Sequence, residues 1–131
     1  MTVEHQGGCL CGAVRYRVRG PLRQVIACHC AQCRRSSGHH VAATAAPFEA
    51  VEIEGRVSWY ASSETARRGF CGICGSNLFW RQAGSRNLSI FAGSLDPPTG
   101  LAIARHIFVA DKGDYYEIPD TVPQSEGRDT S

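Results

Sequence analysis

The stretch that decides the fold is Phe70-Cys71-Gly72-Ile73-Cys74-Gly75, read together with Gly8-Cys9-Leu10-Cys11-Gly12 near the start of the chain. A Cys-x-x-Cys pair wraps a tight turn, and the glycine after each cysteine lets backbone N–H groups point at the thiolates. A Cys-x-Cys pair on an extended segment places both sulfurs on the same face, because side chains alternate along a strand. Both spacings therefore suit two sulfurs that bind one metal ion.

Together these two pairs make a complete ligand set for structural zinc. Structural zinc takes four ligands in a tetrahedron, and each pair supplies two of them. Four cysteines in two close pairs, each flanked by glycine, form a more regular pattern than chance burial of four free thiols would produce. The sequence therefore predicts a tetrathiolate zinc site that ties the N-terminal strand to the middle of the chain. Its ligands are Cys9, Cys11, Cys71 and Cys74.

A third cluster, Cys28-His29-Cys30-Ala31-Gln32-Cys33, places three sulfurs within six residues. On an extended segment Cys28 and Cys30 share one face, and Cys33 follows one turn later. Three protein ligands leave a fourth position for water or substrate, which is typical of a catalytic zinc site. We therefore predict that Cys28, Cys30 and Cys33 are both metal ligands and catalytic residues.

Two alternatives for this cluster stay open. His29 could be a fourth ligand that closes the site, although strand alternation points its side chain away from Cys28 and Cys30. Cys33 could instead form a reversible disulfide with Cys28 or Cys30, which would make the cluster a thiol redox switch. A closed second site would favour a non-catalytic binding module that zinc stabilises.

Composition narrows the class of protein. The chain has 131 residues, of which 43% are hydrophobic and 20% charged, so it is globular and fits one domain. The net charge of +2 does not indicate nucleic acid or an anionic membrane as a partner. We see no signal peptide and no apolar stretch near the ~20 residues that span a bilayer, so we expect a cytoplasmic protein. In that reducing compartment, seven cysteines favour metal binding over disulfides.

Most of the chain reads as short strands. In residues 12–19 the apolar Val14, Tyr16 and Val18 alternate with arginines, which is the period of a strand with one buried face. A short helix is predicted at residues 31–37, closed by Gly38. Further strands are predicted at residues 25–29, 40–45, 50–53, 57–61, 78–81, 88–92 and 105–109.

The fold class that follows is mainly β, with one or two short helices, because no segment keeps a 3.6-residue apolar period. We expect a single zinc-binding β domain over residues 1–118. Residues 119–131 are polar and lack aromatic side chains, so we expect a polar C-terminal tail that frays.

The cysteine motifs resemble those of the glutathione-dependent formaldehyde-activating enzyme family. All seven cysteines match in order, and the resemblance runs from about residue 7 to residue 119. This pattern of seven cysteines is specific for the family, but it does not identify one substrate. The segments that carry it are residues 8–16, 28–34, 70–79, 92–96 and 106–108.

The resemblance implies a β-tent of antiparallel sheets pinned by Zn²⁺, with a permanent tetrathiolate and a second, open three-cysteine zinc site that need not be fully occupied. The implied reaction is adduct formation between glutathione and formaldehyde, formally a carbon–sulfur lyase running in reverse. The implied partners are a small-molecule thiol, first of all glutathione, and a small aldehyde. The chain departs from many members after Lys112, where Tyr115 and Tyr116 stand in place of a tryptophan, so the shape of the substrate site is expected to differ.

Two further sets of side chains are candidates for the site. Glutathione is anionic, so nearby cations would help to hold it, although each of these arginines alone could belong to a solvated face: Arg34, Arg35, Arg67 and Arg68. The histidines His29, His39 and His40 could carry protons. We place His39 and His40 on one strand, so we expect them to point to opposite faces and at most one of them to line a given pocket.

Overall fold

A computed structural model describes residues 3–128 of the chain. Within it the chain divides into two compact units that are interleaved in sequence. We call residues 3–23 and 44–100 unit 1, and residues 24–43 and 101–128 unit 2. The prediction of a single domain that ends at residue 118 stays a prediction.

The described residues form ten strands and one α-helix. In chain order the strands are β1 (Glu4–Gly8), β2 (Arg15–Arg19), β3 (Val25–Cys28), β4 (Val41–Pro47), β5 (Val51–Glu54), β6 (Val57–Ala61), β7 (Ala66–Cys71), β8 (Asn77–Gln82), β9 (Asn87–Phe91) and β10 (Ile103–Ile107). The helix α1 (Ala31–Ser37) follows β3, and short 3₁₀ turns lie at Phe48–Ala50, Ala92–Ser94 and Val109–Asp111. No helix within residues 3–128 is long and apolar enough to cross a membrane.

Unit 1 contains two sheets. One has the antiparallel order β1-β2-β5, and the other runs β4-β9-β8-β7-β6, with residues 44–47 of β4 belonging to this unit. The alternation predicted for β2 is confirmed, because Tyr16 and Val18 are buried while Arg17 and Arg19 are exposed. The Tyr16 ring packs edge-on against Phe79 at 5.2 Å between centroids, and its hydroxyl lies 2.6 Å from the Ser94 hydroxyl. Burial of each large apolar side chain of this core contributes roughly 1.5–3 kcal/mol.

Unit 2 is built on β10, β3 and residues 41–43 of β4. Strand β3 pairs antiparallel with β4 and parallel with β10. Helix α1 begins after Cys30, whose sulfur accepts the Cys33 N–H, and ends at Gly38, which has a left-handed backbone conformation with φ of 86°. The bounds predicted for this helix are therefore confirmed.

The mainly-β prediction is confirmed. The pairs β1–β2, β2–β5, β3–β4, β6–β7, β7–β8 and β8–β9 are antiparallel, whereas β3–β10 is parallel. Two strands escaped the sequence reading. Strand β1 reads Glu-His-Gln-Gly-Gly and β7 reads Ala-Arg-Arg-Gly-Phe-Cys, and neither shows apolar alternation. Both form because neighbouring strands supply backbone hydrogen-bond partners. Strand β2 pairs with β1, and strands β6 and β8 pair with the two edges of β7. Tertiary pairing here overrides a weak local preference.

Part of the predicted C-terminal tail is hydrogen-bonded to the end of β10 and the turn that follows it. The His106 N–H donates to the Pro123 carbonyl, and the Ser125 N–H donates back to the His106 carbonyl. The Phe108 N–H donates to the Gly127 carbonyl. The backbone of residues 123–127 therefore forms regular pairs within unit 2.

The turn between β5 and β6 offers a stability test, because Gly55 has φ of 91° and an added Cβ would collide with the Ala13 carbonyl. Gly20 has φ of 93° with open space around it, so it is a matched control. Gly20→Ala should cost about 1 kcal/mol of unfolding free energy from the left-handed backbone alone. Gly55→Ala should cost a further 1–3 kcal/mol or so, because the carbonyl must move. Urea unfolding of the metal-loaded protein measures both, and equal losses would show that the Ala13 contact is easily relieved.

Candidate functional site

The first site is formed in unit 1 by the tetrathiolate cysteines, whose sulfurs all lie within 4.8 Å of one another. The Cys9 and Cys11 sulfurs are 3.7 Å apart, and those of Cys11 and Cys71 are 3.8 Å apart. A tetrahedral zinc with Zn–S distances of about 2.3 Å requires sulfurs about 3.8 Å apart. The four side chains therefore fit a zinc ion.

Two turns bring these sulfurs together. Cys9 and Cys11 lie in a turn after β1, where the Gly12 N–H donates to the Cys9 carbonyl, and not on the extended segment that was predicted. Cys71 ends β7, and the Gly75 N–H donates to its carbonyl at 2.8 Å. The sulfurs point toward one another, whereas the side chains of Leu10 and Ile73, which lie between the cysteines of each pair, face solvent. Leu10 is 89% exposed and Ile73 is 80% exposed.

Hydrogen bonds around this site favour the thiolate at Cys9 and Cys74, whereas burial and the neighbouring sulfurs raise the pKa of Cys11 to about 11. The Val14 N–H donates to the Cys9 sulfur at 3.2 Å. The Ser76 hydroxyl lies 3.1 Å from the Cys74 sulfur and accepts the Leu10 N–H at 3.0 Å, so it bridges the two turns. The Ser76 hydroxyl and the N–H groups of Ser76 and Cys11 lower the pKa of Cys74 to about 5. Ser76 was missed by the sequence analysis, because nothing local marks a hydroxyl that contacts a residue 66 positions away.

The second site is the three-cysteine cluster of unit 2, and its sulfurs also lie within 4.8 Å of one another. Cys28 ends β3, Cys30 caps α1 and Cys33 lies in the first turn of that helix. The Cys33 N–H donates to the Cys30 sulfur at 3.3 Å. Cys33 is buried, whereas Cys28 and Cys30 are half-buried.

Three sulfurs this close do not ionise unaided. The hydrogen bond with Cys33 and burial raise the pKa of Cys28 far above its ordinary value, and burial raises the pKa of Cys30. A divalent cation would compensate the negative charge and allow the thiols to lose their protons. The donor set therefore fits a metal ion bound by three thiolates.

His29 points away from the three-cysteine cluster, as strand alternation predicts. The side chain is 1% exposed, with Nδ1 2.5 Å from the Tyr116 hydroxyl and Nε2 2.9 Å from His106 Nδ1. Burial, followed by the neighbouring His40 and His106, lowers the pKa of His29 to about 4, which keeps the ring neutral at pH 7. Since both ring nitrogens have other partners, His29 does not join the sulfur group in this structure.

The prediction that His39 and His40 point to opposite faces is wrong. Strand β4 begins only at Val41, so neither histidine belongs to a strand, and the two ring centroids lie 4.3 Å apart. His39 is exposed, with Nδ1 2.6 Å from the Tyr115 hydroxyl. His40 Nδ1 is buried and has no hydrogen-bond partner among the described residues, and burial lowers the pKa of this ring.

The loop after β10 brings Tyr115 and Tyr116 to the histidines, contacts that sequence reasoning did not predict. The Lys112 ammonium donates to the Tyr116 carbonyl at 2.6 Å and to the Gly113 carbonyl at 3.1 Å. This fastens the loop that presents Tyr115 and Tyr116 to the histidines. The only signal in the sequence was the pair of tyrosines where many family members have a tryptophan. The contacts of Tyr115 with His39 and of Tyr116 with His29 join residues 76 and 87 positions apart, so no local sequence pattern predicts them.

The four candidate arginines fall into different units. Arg34 and Arg35 lie on α1 in unit 2 with the three cysteines, Arg34 half-buried and Arg35 exposed. Arg67 and Arg68 lie on β7 in unit 1, where Arg67 is exposed and Arg68 is buried. Only the first pair therefore shares a unit with the three-cysteine cluster.

Comparison with known proteins identifies a family, and its matches include a curated protein and a solved structure of similar fold. The family model described as glutathione-dependent formaldehyde-activating enzyme matches residues 4–111. A protein of Schizosaccharomyces pombe described as an uncharacterized lyase is 28% identical over 117 residues, which cover 88% of this chain and 85% of that protein. The crystal structure of a Rhodobacter sphaeroides protein shares the fold with a TM-score of 0.61 at 23% identity, covering 91% of this chain and 98% of the other.

Proposed function

The chain belongs to the glutathione-dependent formaldehyde-activating enzyme family, and from that premise we propose that it is a carbon–sulfur lyase for adducts between a glutathione-type thiol and a small aldehyde such as formaldehyde. The family and the lyase-named relative support a lyase-like function related to glutathione and formaldehyde. The observation that carries the finer proposal is the three-cysteine cluster. Within residues 3–128 no other His, Cys, Asp or Glu joins that group of sulfurs.

We assign Zn²⁺ as the cofactor of both sites. Cys9, Cys11, Cys71 and Cys74 would hold a structural ion with a closed ligand set, and Cys28, Cys30 and Cys33 would hold an ion with one open position. At the open position zinc would supply a lowered pKa for an incoming thiol, so that the thiol is nucleophilic at neutral pH. The reducing cytoplasm suits this arrangement, because there all seven cysteines stay free to bind metal.

The proposed reaction needs no oxidant or reductant. In the synthetic direction the thiol sulfur forms a bond to the aldehyde carbon, the carbonyl π electrons move to oxygen, and the proton lost by the thiol is balanced by one gained at the new hydroxyl. The reverse reaction breaks the carbon–sulfur bond and releases both partners. The chain must therefore hold a thiol, admit a small aldehyde and move one proton.

Among the candidate histidines, His40 is best suited to move that proton. Both ring nitrogens of His29 have hydrogen-bond partners. The His39 side chain is exposed, and its Nδ1 is hydrogen-bonded to the Tyr115 hydroxyl. Within residues 3–128 the His40 Nδ1 has no hydrogen-bond partner, and the lowered pKa of this ring favours its neutral form, the form that can accept a proton.

The proposal is tested by zinc content, thiol counts and turnover of freshly reduced protein. We expect two zinc ions per chain, or one zinc with three reactive thiols, because the three-ligand site binds more weakly than the four-ligand one. We also expect the protein to accelerate exchange between ¹³C-formaldehyde and its glutathione adduct, measured by exchange NMR, without moving the equilibrium. One zinc with a disulfide within the three-cysteine cluster, and no acceleration with any thiol and aldehyde pair, would contradict the proposal.

A further inference from the structure

A cavity of about 290 Å³ opens in unit 2 beside the helix that carries Cys33. Its walls come from two segments, the second turn of α1 and the loop after β10. The lining residues are Arg34, Lys112, Gly113, Asp114 and Tyr115. Two of these side chains are cations and one is an anion, so the cavity carries a net positive charge.

Arg34 lines this cavity, and one donor of its guanidinium is buried without a partner in the described part of the chain. Its Nε is one of two buried side-chain nitrogen or oxygen atoms without a partner among residues 3–128. A guanidinium stays charged at any ordinary pH and presents its N–H groups in a planar fork that matches a carboxylate. The unpaired Nε shows that the described residues leave this guanidinium incompletely satisfied, so a carboxylate in the cavity would supply a partner that they do not.

Lys112 adds a second positive charge. Its ammonium donates to the carbonyls of Gly113 and Tyr116 and lies 5.1 Å from the centre of the Tyr116 ring. An ammonium has three donors, so one N–H remains for a ligand. Asp114 opposes an anion, but this side chain is exposed and water and salt screen its charge more than they screen the half-buried Arg34 and Lys112.

The cavity also lies at the right place along the chain. Arg34 directly follows Cys33, and consecutive Cα atoms are only about 3.8 Å apart. None of the three cysteines lines the cavity, and successive helical side chains point about 100° apart, so one ligand reaches both places only if several bonds separate its sulfur from its carboxylate, as in glutathione. We infer that Arg34 and Lys112 form a carboxylate subsite that makes the protein select carboxylate-bearing thiols over neutral ones, an inference that rests on the proposed function.

Binding of S-methylglutathione to the zinc-loaded full chain tests this subsite by calorimetry. This compound keeps both carboxylates of glutathione but has no free thiol, so its binding is read without turnover. Arg34→Gln should raise its Kd about tenfold, because a charge-assisted hydrogen bond is lost. Arg35→Gln is the matched control and should stay within about twofold, because Arg35 is exposed and does not line the cavity. The diethyl ester of S-methylglutathione has no free carboxylate. It should bind the wild type about as weakly as S-methylglutathione itself binds Arg34→Gln.

Two further readouts separate this inference from the lyase proposal. Asp114→Asn should tighten S-methylglutathione about twofold, because a like charge leaves the rim of the cavity. If turnover is absent but the difference between the two arginine variants holds, the subsite stands and the lyase proposal falls. If Arg34→Gln binds the acid as the wild type does, with its circular dichroism unchanged, the subsite is overturned even where the wild type is an active lyase.

Discussion

Cys71→Ser is expected to abolish the cooperative unfolding transition of unit 1. Cys71 is buried at the end of β7, and its sulfur belongs to the tetrathiolate group. A structural zinc contributes on the order of 10 kcal/mol to folding, whereas a whole domain is stable by only about 5–15 kcal/mol. Losing one of four ligands therefore removes most of the free energy that holds the site and the strands attached to it. Circular dichroism during urea unfolding, with zinc content measured on the same sample, checks this result.

Ile73→Ser is the matched control, because Ile73 lies in the same turn but is highly exposed. This variant should retain zinc and unfold within about 0.5 kcal/mol of the wild type. A graded chelation series extends the test to both metals. The weaker zinc should leave first with the fold intact, and unfolding should follow only when the second zinc is removed. Removal of both metals with no loss of structure would show that the core alone holds the fold.

Cys30→Ser should abolish turnover and leave the fold intact. The Cys30 sulfur caps α1 by accepting the Cys33 N–H, and serine is among the preferred capping residues, so the helix keeps its N-terminal hydrogen bond. The proposed open zinc site, by contrast, loses one of three ligands. Since metal-ion catalysis supplies several kcal/mol and each 1.36 kcal/mol is tenfold in rate, kcat/KM should fall by about a hundredfold or more.

Ala31→Ser is the control for this experiment, because Ala31 is the exposed first residue of the same helix and binds no metal. It should keep both zinc ions and wild-type kcat/KM. Thermal unfolding of both variants should stay within a few degrees of the wild type. Full activity of Cys30→Ser would sink the catalytic role of the cluster, and loss of its fold would make that cluster structural instead.

Local chemistry was enough to predict the elements whose signals lie within a few residues. Helix α1 was predicted with its observed bounds because Gly38 ends it, and β6 because the Glu54-Gly55 turn precedes an apolar and aromatic run. The two cysteine groups were also predictable, since four and three ligands in tight spacing have few other uses. Strands β1 and β7 could not be predicted, because they lack an apolar period and depend on neighbouring strands for their backbone partners.

The sequence by itself therefore determined the family, the mainly-β class and the seven sulfurs that fit zinc. Only the tertiary structure decided what surrounds them. It bridges the tetrathiolate turns with Ser76 and holds His29 between Tyr116 and His106. Within residues 3–128 it gives His40 Nδ1 no hydrogen-bond partner. It also places Arg34 in a cavity with Lys112 while Arg35 faces solvent. The physical reason is distance along the chain. Ligand spacing and helix capping act between residues that are close in sequence, whereas the contacts of Ser76 with Leu10 and of His29 with His106 and Tyr116 join residues 66–87 positions apart.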